Sequence, residues 1–130
     1  MFQTIVPTLK PAAISTKQLL HYSQHFNKPY FRQYDYGPLE NLAKYGSLEP
    51  PKYDLSKVTI PVYLYLGQND KLADSDDVGC LIEQLGNLAD VYTVPYDLFD
   101  HNDFLYAIDA KSLVYDKLIE DMDRVIAELV

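Results

Sequence analysis

The run TIPVYLYLG, Thr59 to Gly67, is apolar on both faces of any strand it forms. Such a strand needs cover on two sides, which strands of a parallel sheet receive. Pro61 falls near its start, where a missing N–H is tolerated. The following DSDDVGCLIEQLGN carries helix punctuation: Asp74 or Ser75 as N-cap, acids in the first turn, and Gly86 as the stop. Its inward stripe is predicted as Val78, Leu81, Ile82 and Leu85. ADVYTVP reads as a second short strand ending at Pro95. KSLVYDKLIEDMDRVIAELV reads as an amphipathic closing helix with Val114, Leu118, Met122, Val125 and Leu129 on one face. Strand, loop, helix, strand, loop, helix predicts an α/β fold of parallel strands with helical crossovers.

The first half is built of shorter pieces. ISTKQLLHYSQHF predicts a helix capped by Ser15 or Thr16, and GPLENLAKYG a helical turn or two bounded by glycines. The aromatic-rich NKPYFRQYDYG lies between them. SLEPPKYDLSKV is an extended connection, because a residue before proline is pushed out of the helical region.

Composition bounds the function. The 130 residues carry a formal charge of −8, which opposes binding to nucleic acid or anionic lipid. No apolar run approaches the ~20 residues of a membrane span, so no transmembrane segment is expected. The start, MFQTIVPTLKPAAIS, has neither a charged n-region nor an apolar core of signal-peptide length. The single cysteine, Cys80, excludes an internal disulfide and reads as a packing residue, having no histidine near it in the sequence.

Ligands of parallel sheets sit beyond the carboxyl ends of the strands, and two acid-rich loops fall at that edge. Asp70 follows the first strand and His101 the second. A carboxylate that accepts from one imidazole nitrogen readies the other as a general base, and acid before histidine matches the chain order of α/β-hydrolase triads. Asp70 fits loop or helix capping equally well on spacing alone. Asp74 reads as the N-cap. Asp97, Asp100, His101 and Asp103 match no zinc or EF-hand spacing, and His21 and His25 lack the glutamate of H-E-x-x-H; no metal is expected. No G-x-S-x-G nucleophile elbow occurs: Ser47 lacks a second glycine and a preceding strand, Ser112 lies in the closing helix, and neither Ser15 nor Ser75 has an elbow.

Several of these stretches together resemble one family. GQNDKLADSDDV is similar to the G-x-N-D-x-L-A-D-x-x-D-V segment of the acid lipases, the gastric, lysosomal and insect lipase family. DHNDFLYAIDAKSLVYDKLI is similar to that family's N-H-x-D-F-x-x-x-x-D-A segment and closing helix. STKQLLHYSQ, FRQYDYG, NLAKYG and PPKYDLSKVTIPVYLYLG resemble it in the same order, so the likeness covers about residues 14 to 128. Asp100 departs from it, standing where the family often has Asn or another polar residue; a carboxylate beside the histidine is expected to raise its pKa.

The resemblance implies the C-terminal portion of an α/β-hydrolase: residues 1–50 as the tail of a helical cap, residues 51–130 as the end of the core. It places the catalytic acid on Asp70 and the catalytic histidine on His101, with the serine, its elbow and the oxyanion hole in an absent N-terminal core. It implies a carboxylic ester hydrolase acting on neutral lipid esters, triacylglycerol or sterol ester, with no metal or organic cofactor. It also implies a secreted or lysosomal protein whose signal peptide would lie upstream of Met1. The 130 residues alone are expected to be inactive, since losing a triad nucleophile costs on the order of a millionfold in turnover. The alternative is a non-catalytic remnant that contacts lipid or a partner protein. Either way, a sheet cut to two strands leaves VYLYL with a bare edge and face, so the isolated chain is expected to aggregate or to be partly molten.

Overall fold

The computed structural model describes residues 14–26 and 31–128. The stretch before Ile14, and Leu129 of the closing helix, lie outside the described residues. Helix α1 spans Thr16–Gln24 and α2 spans Pro38–Tyr45. Then come strand β1 (Val62–Leu66), helix α3 (Ser75–Gln84), strand β2 (Leu88–Thr93), a short α4 (Asp103–Tyr106) and the closing α5 (Asp116–Glu128). None of the described helices is long and apolar enough to cross a membrane.

β1 and β2 pair in parallel, Tyr63 beside Asp90 and Leu66 beside Thr93, with α3 as the crossover. This is the α/β order expected. Every β1 residue is half-buried, because β1 has one paired edge among the described strands. Asp74 caps α3, its Oδ1 accepting from the Asp76 and Asp77 amides at 2.9 and 3.2 Å. Of the stripe expected on α3 only Val78 is buried; Leu81, Ile82 and Leu85 are half-buried.

Gly86 does not end α3 by a left-handed turn. The helix stops because Leu85 is extended (φ −66°, ψ 131°). Gly86 is required for another reason: a Cβ there would stand 2.2 Å from the Ser56 carbonyl oxygen and 2.8 Å from that of Val58. Its N–H donates to Leu55 O at 3.0 Å, which ties the end of α3 to the 3₁₀ turn Leu55–Lys57.

The closing helix also departs from its expected face. It is entered through a π turn, Lys111–Tyr115. Val114 is buried, but Met122 is 56% exposed, and the buried residue of the next turns is Asp121. A period of 3.6 counted from Val114 passes through position 121 rather than 122; the apolar character of Met122 drew the stripe one residue astray. Asp121 is tolerated because donors surround it: Tyr65 Oη at 2.8 Å, Arg124 Nη2 at 2.8 Å, and Lys117 Nζ. The Lys117 and Tyr65 bonds and the neighbouring cations outweigh burial and hold the Asp121 carboxyl below its ordinary value. Burial and the Asp121 carboxylate push the Tyr65 phenol up to about 12.

The core is small: Val94, Phe99 and Val114, flanked by Tyr65, Tyr92, Phe104, Ala107 and Leu113. Phe99 and Phe104 meet edge to face at 4.9 Å. Five hydrophobic residues are buried among those described, whereas twenty-one large ones are exposed, Leu39 and Ile108 at 84% and 80%. An apolar groove of about 420 Å³ runs between β1 and α5, lined by Tyr63, Leu118, Met122, Val125 and Ile126. With so little buried area, the isolated chain is expected to elute from gel filtration above its 14.9 kDa mass and to melt without a sharp transition. A monomer with a steep circular-dichroism transition would contradict this.

Candidate active site

Two loops leave the carboxyl ends of β1 and β2 and touch main chain to main chain. Gly67 makes the approach possible, because a Cβ there would sit 2.6 Å from the Phe99 carbonyl oxygen. The same oxygen accepts from the Asn69 N–H at 3.0 Å. Phe99 is 1% exposed and its ring is in the core, so the histidine loop is pinned by its side chain on one side and its carbonyl on the other.

The contact brings Asp70 and His101 together. Asp70 is 6% exposed. Its Oδ1 accepts from the Leu72 and Ala73 amides at 2.8 and 2.9 Å, and its Oδ2 from His101 Nδ1 at 3.0 Å. Burial alone would raise the Asp70 pKa; the Ala73 and Leu72 amides, with the imidazole, outweigh it and hold the carboxyl below its ordinary 3.8. An ionised acceptor at Oδ2 assigns the proton to Nδ1 and leaves the lone pair on Nε2. The His101 side chain is 53% exposed, and no described residue hydrogen-bonds Nε2. An oriented, neutral imidazole with a free basic nitrogen is equipped to take a proton from a hydroxyl brought to it.

The other acids of these loops serve the backbone. Asp100 Oδ1 accepts from the Asn102 amide at 2.7 Å, and Asp103 Oδ2 from the Asp100 amide at 2.8 Å. Asp97 is exposed. Among the described residues no group of three or more His, Cys, Asp or Glu could hold a metal ion. His21 and His25 clasp one main-chain unit: His21 Nε2 is 3.0 Å from Arg32 O, and the Arg32 N–H donates to His25 Nε2 at 3.3 Å. Cys80 is exposed on α3. Ser112 Oγ donates to Asp109 O at 3.2 Å, Ser47 Oγ accepts from the Glu49 amide at 3.3 Å, and no described serine hydroxyl bonds His101.

Sequence reading passed over Gly67, Asn69 and Phe99, which bring the pair together. Glycine as the last residue of an apolar strand, just before an acidic loop, was the one signal available for them.

Fold and site define a class: an α/β protein with an acid–histidine pair on adjacent loops at the carboxyl edge of a parallel sheet. No family model matches the chain. It is 39% identical over 117 residues to Lipase 3 of Drosophila melanogaster, covering 90% of this chain and 30% of that protein. It is 36% identical over 113 residues to gastric triacylglycerol lipase of Rattus norvegicus, covering 86% and 28%, and 34% identical over 110 residues to that of Homo sapiens, covering 84% and 27%. The chain belongs to the acid lipase-like family of these gastric and insect lipases, and it spans less than a third of their length.

Two outcomes follow from the geometry. Because the folded pKa of Asp70 lies below 3.8, the stability its ionised form contributes is complete above the unfolded value. It fades as pH falls through the folded one. A ¹³C titration of the Asp70 carboxyl carbon is expected to show a midpoint under 3.8; one at or above that value would contradict the geometry. Gly67→Ala is expected to push Phe99 away, part the loops and raise that midpoint as the imidazole is lost. An unmoved titration would show that the close approach does not govern the pair.

Proposed function

We propose that the chain is the acid-and-histidine part of a serine lipase of α/β-hydrolase type, with residues 1–50 as the tail of its cap and 51–130 as the end of its core. The observation that carries this reading is the Asp70–His101 bond of 3.0 Å with an unengaged Nε2. The substrate class is the neutral lipid ester, triacylglycerol or sterol ester, in keeping with relatives named as gastric triacylglycerol lipases. A secreted or lysosomal setting accords with the same relatives.

In this reading a serine from the rest of the fold attacks the ester carbonyl. His101 Nε2 takes its proton and later returns it to the leaving alcohol, while Asp70 holds the ring and stabilises the imidazolium. Hydrolysis of this kind draws on no metal or organic cofactor. The sequence contains no G-x-S-x-G, and the oxyanion hole, often the largest electrostatic contribution, comes from the same missing part. The 130 residues are therefore inactive by themselves. The free edge of β1 is where the remaining sheet joins.

The test is a lipase in which this chain replaces the matching segment of Drosophila Lipase 3. It is expected to cleave a triacylglycerol or a p-nitrophenyl ester. Asp70→Asn and His101→Ala should each lower kcat by about ten-thousandfold with the fold intact. Parental turnover in either variant would refute the assignment and favour a non-catalytic remnant.

A further inference from the structure

Tyr22 reaches the acid loop from α1, fifty positions away in sequence. Its hydroxyl donates to the Leu72 carbonyl at 2.9 Å. That carbonyl shares one peptide unit with the Ala73 N–H, which donates to Asp70 Oδ1 at 2.9 Å. Asp70 Oδ2 accepts from His101 at 3.0 Å. One continuous path thus runs from phenol through peptide and carboxylate to imidazole. We propose that Tyr22 is a positioning residue for the Asp70–His101 pair, fixing and polarising the peptide that holds the acid. The proposal rests on the reading of that pair as the acid and base of a hydrolase.

The physical basis is cooperativity. A peptide that accepts at its carbonyl becomes a better donor at its N–H, by roughly 10–30% per bond in condensed-phase estimates. Leu72 offers an internal comparison. Its own N–H also reaches Asp70 Oδ1, at 2.8 Å, but belongs to the Lys71–Leu72 peptide, to which Tyr22 does not donate. The Tyr22 ring has a separate packing role, meeting Phe26 edge to face at 5.2 Å; that explains the ring and not the hydroxyl. Tyr22 and Leu72 are 46% and 54% exposed, so water could serve this carbonyl equally well. What the phenol adds is direction.

The arm that carries Tyr22 is itself tied down. Gln24 exchanges two bonds with the Asp35 main chain at 2.8 and 2.9 Å. Lys17 Nζ donates to Tyr36 Oη at 2.9 Å, and His21 and His25 hold Arg32. α1 therefore moves with the 31–36 segment, and its position is transmitted to the acid loop through Tyr22.

Tyr22→Phe in the lipase joined from this chain and Drosophila Lipase 3 removes only the hydroxyl. Its kcat is expected to fall about three- to tenfold, the size one neutral hydrogen bond carries, with KM unchanged. In the same variant the Ala73 amide proton should move upfield while that of Leu72 stays in place. Tyr22→Leu, which also deletes the ring, should lower kcat by a similar factor if the hydroxyl is what matters. Parental kcat with both amides unmoved would overturn the proposal. So would a shift of both amides with a raised KM, which marks a displaced helix. Asp70→Asn in the same enzyme separates the two readings. If it abolishes turnover while Tyr22→Phe is silent, the pair stands and Tyr22 does not; if it leaves turnover intact, both fall.

Discussion

The site depends on an approach of two backbones close enough to require glycine. Gly67 lets the Phe99 carbonyl come within reach of the Asn69 amide, and that carbonyl lies two residues before His101. The Phe99 ring is locked in the small core. A rigid anchor on one loop therefore fixes the height of the histidine relative to the acid on the other. Phe99 is thus the joint through which the packing of Val94 and Val114 reaches the chemistry. A core of this size matters less for global stability than for setting that one distance.

Much of this was legible because an alternating order of strands and helices puts successive loops on one edge of a sheet. That order locates Asp70 and His101 together before any distance is known. Capping and pairing competed for Asp70 on spacing alone, and the structure shows why: its two oxygens do one job each. Oδ1 gathers the Leu72 and Ala73 amides, and Oδ2 holds the imidazole. What stayed illegible depends on contacts distant in sequence. Gly86 looks like a helix stop but is needed against the 55–58 turn. Asp121 looks like a solvated acid, and nothing local announces that Tyr65 of β1 will meet it.

Asp121 also shows how this fold treats the gap between sheet and helix. A buried carboxylate with three donors gains direction at the cost of desolvation. It sets the rotation of α5 over β1, since Tyr65 must find it. Beside this polar peg lies the apolar groove of Tyr63, Leu118, Met122 and Val125. The peg fixes where the helix sits, and the groove leaves the outer flank of β1 open to more structure.

The π turn at Lys111–Tyr115 has a consequence for how sequences of this kind can change length. A π turn is a helical turn holding one residue more than an α turn. Loss of a single codon there would restore a regular helix without breaking it. The remainder of α5 would then rotate by about 100°, carrying Asp121 out from under the Tyr65 hydroxyl and bringing another side chain into its place. A one-residue deletion in this turn is therefore mild for the helix and severe for its docking. Alignments of related chains that place a gap here would be pairing helices that face the sheet with different residues.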